Sequence, residues 1–201
     1  MEEAAHRYFI VNKPYNMVSQ FVSSHAVHLL GELNFNFPGG IHAIGRLDNH
    51  SEGLLILTTN KKITRLLFLG ATPHKRTYLV QVNNLLSNEN LRLLQTGISI
   101  RVKGGGNYIT PPCEVEIIKN PTHLYKGAID EKNYGPHTWL QITLTEGKFH
   151  QVRKMFGAVH HRCKRLIRIS IEELSLCDLA VGGVQEIEEK TFFRQLNIHQ
   201  H

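Results

Sequence analysis

Cysteine is scarce in this 201-residue sequence, with only Cys113, Cys163 and Cys177, an odd number at wide spacings. Neither a disulfide framework nor a paired-cysteine zinc site fits that arrangement, and the three read as small buried apolar residues. No apolar run approaches the ~20 residues that span a bilayer; the longest, around Leu54 to Leu57, is strand-sized. Acids stand near Met1 where a secretory leader carries Lys or Arg, and no apolar block with a small-residue cleavage site follows, so the chain is expected to be cytoplasmic and free of membrane. Several chemistries lack their parts. There is no His-Glu-x-x-His, no paired Cys with His-x-Glu, no Gly-x-Ser-x-Gly elbow and no dinucleotide fingerprint. The three glycines of residues 104–106 precede no Lys-Ser or Lys-Thr and read as a hairpin turn, not a phosphate loop. His160 and His161 are adjacent, so on a helix they point about 100° apart and do not suit joint metal coordination. No metal, nucleotide or other cofactor is expected.

What is present is the balance of a folded globular chain: 41% hydrophobic and 20% charged residues. Such a composition buries too much apolar surface for disorder. The length suits one domain, with two lobes sharing a core as the alternative. Lys and Arg number 23 against 17 acids, a formal net charge of +6.

The hydrophobic pattern predicts strands over residues 8–12, 53–59, 76–82, 112–119, 138–145 and 165–171. The run over 53–59 is apolar throughout, as in a strand covered on both faces. Helices are expected after residue 62 with a stop at Gly70, from a Ser87 cap to Gly97, and through Val152, Met155, Phe156 and Val159. Residues 120–137 read as a surface insertion, and residues 184–194 as a final acidic segment. The sum is an α+β chain with more strands than helices.

Charge is distributed unevenly. Residues 148–168 hold Lys148, Arg153, Lys154, Arg162, Lys164, Arg165 and Arg168, three histidines and no acid. A solvated helix face would normally alternate signs, so this stretch points to an anionic partner, and clustered cations supply the sequence-independent part of nucleic-acid affinity.

One polar turn stands directly before the buried strand: Gly45-Arg46-Leu47-Asp48-Asn49-His50-Ser51-Glu52-Gly53. A loop on the lip of a rigid sheet is a common place for chemistry. A lone Asp often only shapes a turn. Here Arg46 lies two residues away and Arg153 on the basic helix could reach Asp48, and an Arg near a carboxylate keeps it ionised and oriented, as a nucleophile or base must be.

These residues resemble a known family, the RsuA-like ribosomal RNA pseudouridine synthases, and within it the short RluE type that lacks an S4 RNA-binding domain. The resemblance rests on five segments in order: Asn12-Lys13-Pro14; Gly45-Arg46-Leu47-Asp48 with the strand after it; Lys75-Arg76-Thr77-Tyr78; the run from Glu146 through Gln151-Val152-Arg153-Lys154 to Phe156; and Leu166-Ile167-Arg168-Ile169. It implies a pseudouridine synthase fold, a mixed and mainly antiparallel sheet in two lobes flanking a basic cleft, in a single catalytic domain over residues 1–201 with its core at about 7–197. By the same resemblance Asp48 is the catalytic aspartate, Tyr78 stacks on the target uracil and Arg153 pairs with Asp48. Lys13, Arg46, Lys148, His150, Lys154, Arg165 and Arg168 are expected to hold RNA, most naturally large-subunit ribosomal RNA, with the protein acting as a monomer. Two features depart from the family pattern: Asn60-Lys61-Lys62 after the buried strand lacks the usual glycine, and Gly183-Val184-Gln185-Glu186 only weakly matches the usual C-terminal segment. From pattern alone Tyr78 suits a core tyrosine equally well.

Isomerising uridine needs no redox partner, metal or energy source, in keeping with the missing motifs. The carboxylate can attack the sugar, attack the ring or remove a sugar proton, and all three routes stay open. Two rivals are weighed: a non-catalytic RNA-binding or ribosome-assembly protein on the same fold, and a nucleoside hydrolase. The second has no use for so large a basic surface.

Overall fold

A computed structural model describes residues 5–68, 72–126 and 135–198. Among the described residues there are eleven strands and four short α-helices. The strands are β1 (Tyr8–Lys13), β2 (His42–Ile44), β3 (Glu52–Thr58), β4 (Arg76–Asn83), β5 (Ser99–Arg101), β6 (Asn107–Ile109), β7 (Glu114–Ile117), β8 (His137–Leu144), β9 (Cys163–Ile171), β10 (Leu174–Ser175) and β11 (Val184–Ile187). The helices are α1 (Ile63–Phe68), α2 (Asn88–Thr96), α3 (Gln151–Ala158) and α4 (Glu189–Gln195). Nine strands form one sheet in the order β11-β1-β3-β9-β4-β8-β7, with β2 beside β3 and β10 beside β9, while β5 and β6 make a separate hairpin. Every pairing between these strands is antiparallel except β3 with β9.

That parallel pairing is the waist of the sheet. It covers only Glu52↔Ile167 and Gly53↔Arg168, after which the same edge of β3 turns to β2 through Ile56↔Ile44. Leu54 stands at the fork, where a carbonyl inside the protein needs a donor. Arg168 supplies it: its Nε donates to the Leu54 carbonyl at 2.8 Å, and its Nη2 to the Gly45 carbonyl, just past β2, at 2.8 Å. Gly53 adopts φ +96°, and a Cβ there would lie 2.3 Å from the Arg168 carbonyl oxygen, so only glycine permits the two strands to approach.

β1 and β3 are buried along their whole length because both sheet faces are covered. Tyr8, Ile10, Leu54 and Ile56 pack against Phe192 and Phe193 of α4. Phe9, Val11, Leu55 and Leu57 face the opposite way, onto Met17, Leu30 and Phe35 from the long loop between β1 and β2. Beyond the waist, Val80 and Val82 of β4 meet Met155 and Phe156 of α3 and Leu94 of α2. The mixed, mainly antiparallel α+β architecture is therefore the expected one, its two halves joined at the β3–β9 contact.

Local chemistry explains most element ends. Ser87 Oγ accepts from the Asn90 amide at 3.1 Å to start α2, and Gly97 at φ +106° ends it. Asn60, without a glycine to turn the chain, accepts the Lys62 amide on its side chain and the Ile63 amide on its carbonyl, so α1 begins directly. The glycine stop expected at Gly70 lies outside the described residues. The insertion expected over 120–137 is not wholly superficial: Pro121 and Tyr125 are buried, and the Tyr125 hydroxyl donates to Asn12 Oδ1. Of the cysteines, Cys163 is buried and Cys113 half-buried, each thiol pushed up to about 11 by burial, whereas Cys177 is exposed.

Candidate active site

Asp48 sits on the turn between β2 and β3, and three contacts fix that turn. Ser19 Oγ brackets Leu47, donating to its carbonyl at 2.9 Å and accepting its amide at 3.0 Å. The Asp48 carbonyl accepts the Ser51 amide at 3.0 Å. Lys13, wholly buried, donates its Nζ to the carbonyls of Met17 (2.6 Å), Pro14 (2.8 Å) and Asn49 (3.4 Å). Burial lowers the Lys13 ammonium to about 8, with Glu52 and Asp48 acting in the opposite direction. Lys13 was expected on RNA, yet it faces inward, because the Lys-Pro step turns the chain and folds the ammonium under the Asp48 turn.

Arg168 requires the same correction. It is 2% exposed with its guanidinium on two backbone carbonyls, so its charge is spent on tying Asp48's turn to the sheet. Burial lowers its pKa. Arg165 forms a fork with Glu52, Nε–Oε1 2.9 Å and Nη2–Oε2 2.7 Å, so its charge is directed inward to an acid at the start of β3. Glu52 is almost fully buried, and sequence reasoning gave it no part.

Arg153 does not pair with Asp48. Its Nη2 donates to the His50 carbonyl at 2.7 Å, with Ser51 Oγ at 3.5 Å and the Cys163 carbonyl at 3.4 Å from the guanidinium. The arginine grips the backbone just past Asp48 instead of its side chain. The group opposite the Asp48 carboxylate is His150, Nε2–Oδ2 3.4 Å, and both side chains are more than one-third exposed. His150 takes a left-handed conformation, φ 54°, immediately before α3, which turns its ring back toward β2 and β3.

Asp48 and Tyr78 line one open cavity of about 590 Å³ at the waist, together with Arg46, Arg76, His74 and Phe149. Lys148, His150 and Arg168 also reach it. Arg46 is exposed there, whereas Arg76 is buried and its pKa lowered by desolvation. Tyr78 is half-buried on β4, where Arg168 of β9 is its cross-strand neighbour. Arg76 was missed, although the period of two on β4 puts it on the same face as Tyr78. Lys154 lies slightly outside, its Nζ 5.4 Å from the Phe149 ring centroid.

The loop that carries Phe149 and His150 is braced from the β5–β6 hairpin. The Tyr108 hydroxyl donates to Glu146 Oε2 at 2.5 Å, Gln151 Nε2 to Glu146 Oε1 at 2.6 Å, and the Lys148 amide to Gln151 Oε1 at 2.8 Å. The Lys148 ammonium stands over the Tyr108 ring, 4.8 Å from its centroid. Among the described residues no group of three His, Cys, Asp or Glu side chains could hold a metal ion.

Residues 7–158 match the RNA pseudouridylate synthase family. The chain belongs to that family. As an RNA pseudouridylate synthase it isomerises uridine to pseudouridine in RNA. It is 33% identical over 191 residues to ribosomal large subunit pseudouridine synthase E of Vibrio vulnificus (strain CMCP6), a match spanning 92% of this synthase and 76% of that protein. Its identity to the Xanthomonas axonopodis pv. citri (strain 306) protein of the same name is 31%, over 85% of this synthase and 88% of the other. The fold is shared with a crystal structure of pseudouridylate synthase, TM-score 0.74 at 22% identity, over 98% of this synthase and 76% of that chain. Human RNA pseudouridylate synthase domain containing 1 shares it with TM-score 0.56 at 14% identity, over 99% and 89%.

Proposed function

We propose that this synthase converts a specific uridine of large-subunit ribosomal RNA to pseudouridine, with Asp48 as the acting carboxylate and Tyr78 as the ring against which the target uracil stacks. The observation that carries the reading is the shared cavity. A carboxylate held by its own turn and an aromatic from the other half of the sheet line one space, rimmed by arginine. The substrate class rests on the relatives named as large-subunit enzymes and on the net positive charge.

The reaction breaks the bond from sugar C1′ to ring N1 and forms one from C1′ to ring C5. The C5 proton leaves to water and N1 gains one, so atoms balance without a co-reactant. Each of the three possible first steps starts from a carboxylate, the role proposed for Asp48. Extruding the base costs least in unpaired RNA, and an extruded base is held by stacking and edge hydrogen bonds. Arg46, Lys148, His150 and Lys154 are proposed to contact the RNA. Arg153, Arg168 and Lys13 are proposed to position Asp48, and Arg165 to hold Glu52. Action as a monomer with a single catalytic domain is part of the proposal. With a ribosomal RNA substrate, the proposed compartment is the cytoplasm.

Tritium release from ring-labelled uridine in large-subunit transcripts tests the reading, with primer extension to map the position. Release by the unaltered protein and its loss in Asp48→Asn, with RNA affinity retained, is the expected outcome. Release that persists in Asp48→Asn removes Asp48 from the chemistry. Binding without release from large-subunit RNA assigns the enzyme a different RNA.

A further inference from the structure

Phe149 is 63% exposed, yet its surroundings are ordered. The His150 ring lies on it at a centroid distance of 3.8 Å and an interplanar angle of 17°. The backbone on either side is fixed by the Glu146–Gln151–Lys148 bonds and by the left-handed turn at His150. The ring lines the same cavity as Asp48, and His150 is the group opposite the Asp48 carboxylate. A stack of Phe149 on His150 therefore ends one contact from the acting residue.

An exposed phenyl ring held in place is more than residual surface. Scattered apolar residues are ordinary on a protein, but this one lines the cavity, stacks on His150 and has the Lys154 ammonium over its ring. Lys154 stands 5.4 Å from its centroid, and Lys148 precedes it. An apolar protein partner has no use for those charges, whereas a nucleotide uses both, its base on the ring and its phosphate on the ammonium groups.

We infer that Phe149 is the stacking platform for the unpaired nucleotide next to the target uridine. The inference rests on the RNA reading above. Extrusion of a uridine toward Asp48 leaves its neighbour without a stacking partner on that side. The Phe149 ring supplies one, and with it a preference for substrates whose neighbouring nucleotide is unpaired. The ring touches the neighbour and not the reacting uridine, so it acts on binding and specificity.

The test uses the whole protein and an RNA fragment carrying 2-aminopurine on one or the other side of the mapped uridine, with tritium release followed in parallel. Stacking quenches 2-aminopurine, so the unaltered protein is expected to quench it at one of the two positions. Phe149→Ala and Phe149→Leu should relieve the quench and raise KM about tenfold with kcat little changed, because base–aromatic stacking is sequence-tolerant binding energy. Phe149→Tyr should keep both close to the original values. Leu85→Ala, at another exposed apolar residue, should change neither. Tritium release with unaltered quench and KM in Phe149→Ala overturns the inference, as does a Phe149→Tyr protein as impaired as Phe149→Ala. Failure of the unaltered protein to release tritium counts against the RNA reading instead, and so the two failures are distinct.

Discussion

Arg153 holds the carbonyl oxygen of His50 at 2.7 Å, two residues beyond Asp48. The α3 helix thus sets the height of the turn on which the carboxylate stands. Arg153→Met should lower kcat about 100-fold while KM for RNA changes little, because a displacement near 1 Å is costly to an aligned reaction. Arg153→Lys, with one donor group instead of a fork, should fall between the two. Steady-state tritium release reads the split; a loss confined to KM would make Arg153 an RNA contact.

Arg168 closes the fork between β2 and β9 with two backbone bonds. Arg168→Lys cannot reach both carbonyls, and the one left buried without a donor should reduce the unfolding free energy in urea by about 2 kcal/mol. RNA affinity of the folded fraction should be unchanged. A variant as stable as the parent would show that the fork needs no donor.

Lys13 gives the stability a pH dependence whose sign is fixed. Its ammonium is lowered to about 8 in the folded chain from an ordinary value of 10.5. Between those values the unfolded chain binds a proton that the folded chain does not, so stability attributable to this residue rises with pH. Below pH 8 both states are protonated and the dependence disappears. The half-buried Cys113 and buried Cys163 thiols, raised to about 11, act in the reverse direction at higher pH. The measurement is therefore a difference, unaltered protein minus Lys13→Met, over pH 7 to 10. It should increase through this window by at most about 1.4 kcal/mol per unit. A flat difference would mean that Lys13 keeps its proton.

Gly53 and Gly104 have nearly the same backbone, φ +96° and +99°, but different surroundings. A Cβ at Gly104 meets nothing, whereas one at Gly53 meets the Arg168 carbonyl oxygen at 2.3 Å. Gly104→Ala should cost about 1–2 kcal/mol from conformation alone. Gly53→Ala should cost more than about 4 kcal/mol, since the β3–β9 contact must open. Urea unfolding of the pair separates strain from collision; equal losses would mean that the strands part easily.

The strands around the site were legible because their residues repeat with a clear period or run apolar without interruption, as over Leu54 to Leu57. The Ser87 and Gly97 ends of α2 and the glycine hairpin were equally plain, each fixed by neighbours in sequence. The direction of the cations was not. Lys13, Arg165 and Arg168 look like surface charges in sequence: Lys13 bends onto the nearby Met17 carbonyl and the distant Asn49 carbonyl, and what turns Arg165 and Arg168 inward lies far along the chain, at Glu52 and the carbonyls of Gly45 and Leu54. On β9 the alternation is itself interrupted, with irregular register against β4 at Thr77/Tyr78 and Gln81/Val82, so no count of two could assign Arg168 a face. The Asp48–His150 contact is hidden for a related reason, since it depends on the left-handed turn of a histidine.

β1 lies between β3 and β11, and Tyr8 faces Ile187 across that last pairing with Phe192 4.5 Å from its ring. The Asn12 amide, next to Lys13, bonds the Gly183 carbonyl at 3.1 Å. During translation β1, the first of the described strands, must wait for β11, the last of them, and the lysine under the Asp48 turn waits with it. A nascent chain can form the antiparallel β4–β8 pair and α2 early, but β1 lacks one of its two neighbours until the segment after Gly182 has left the ribosome. The turn that carries Asp48 is thus secured only by a segment synthesised long after it.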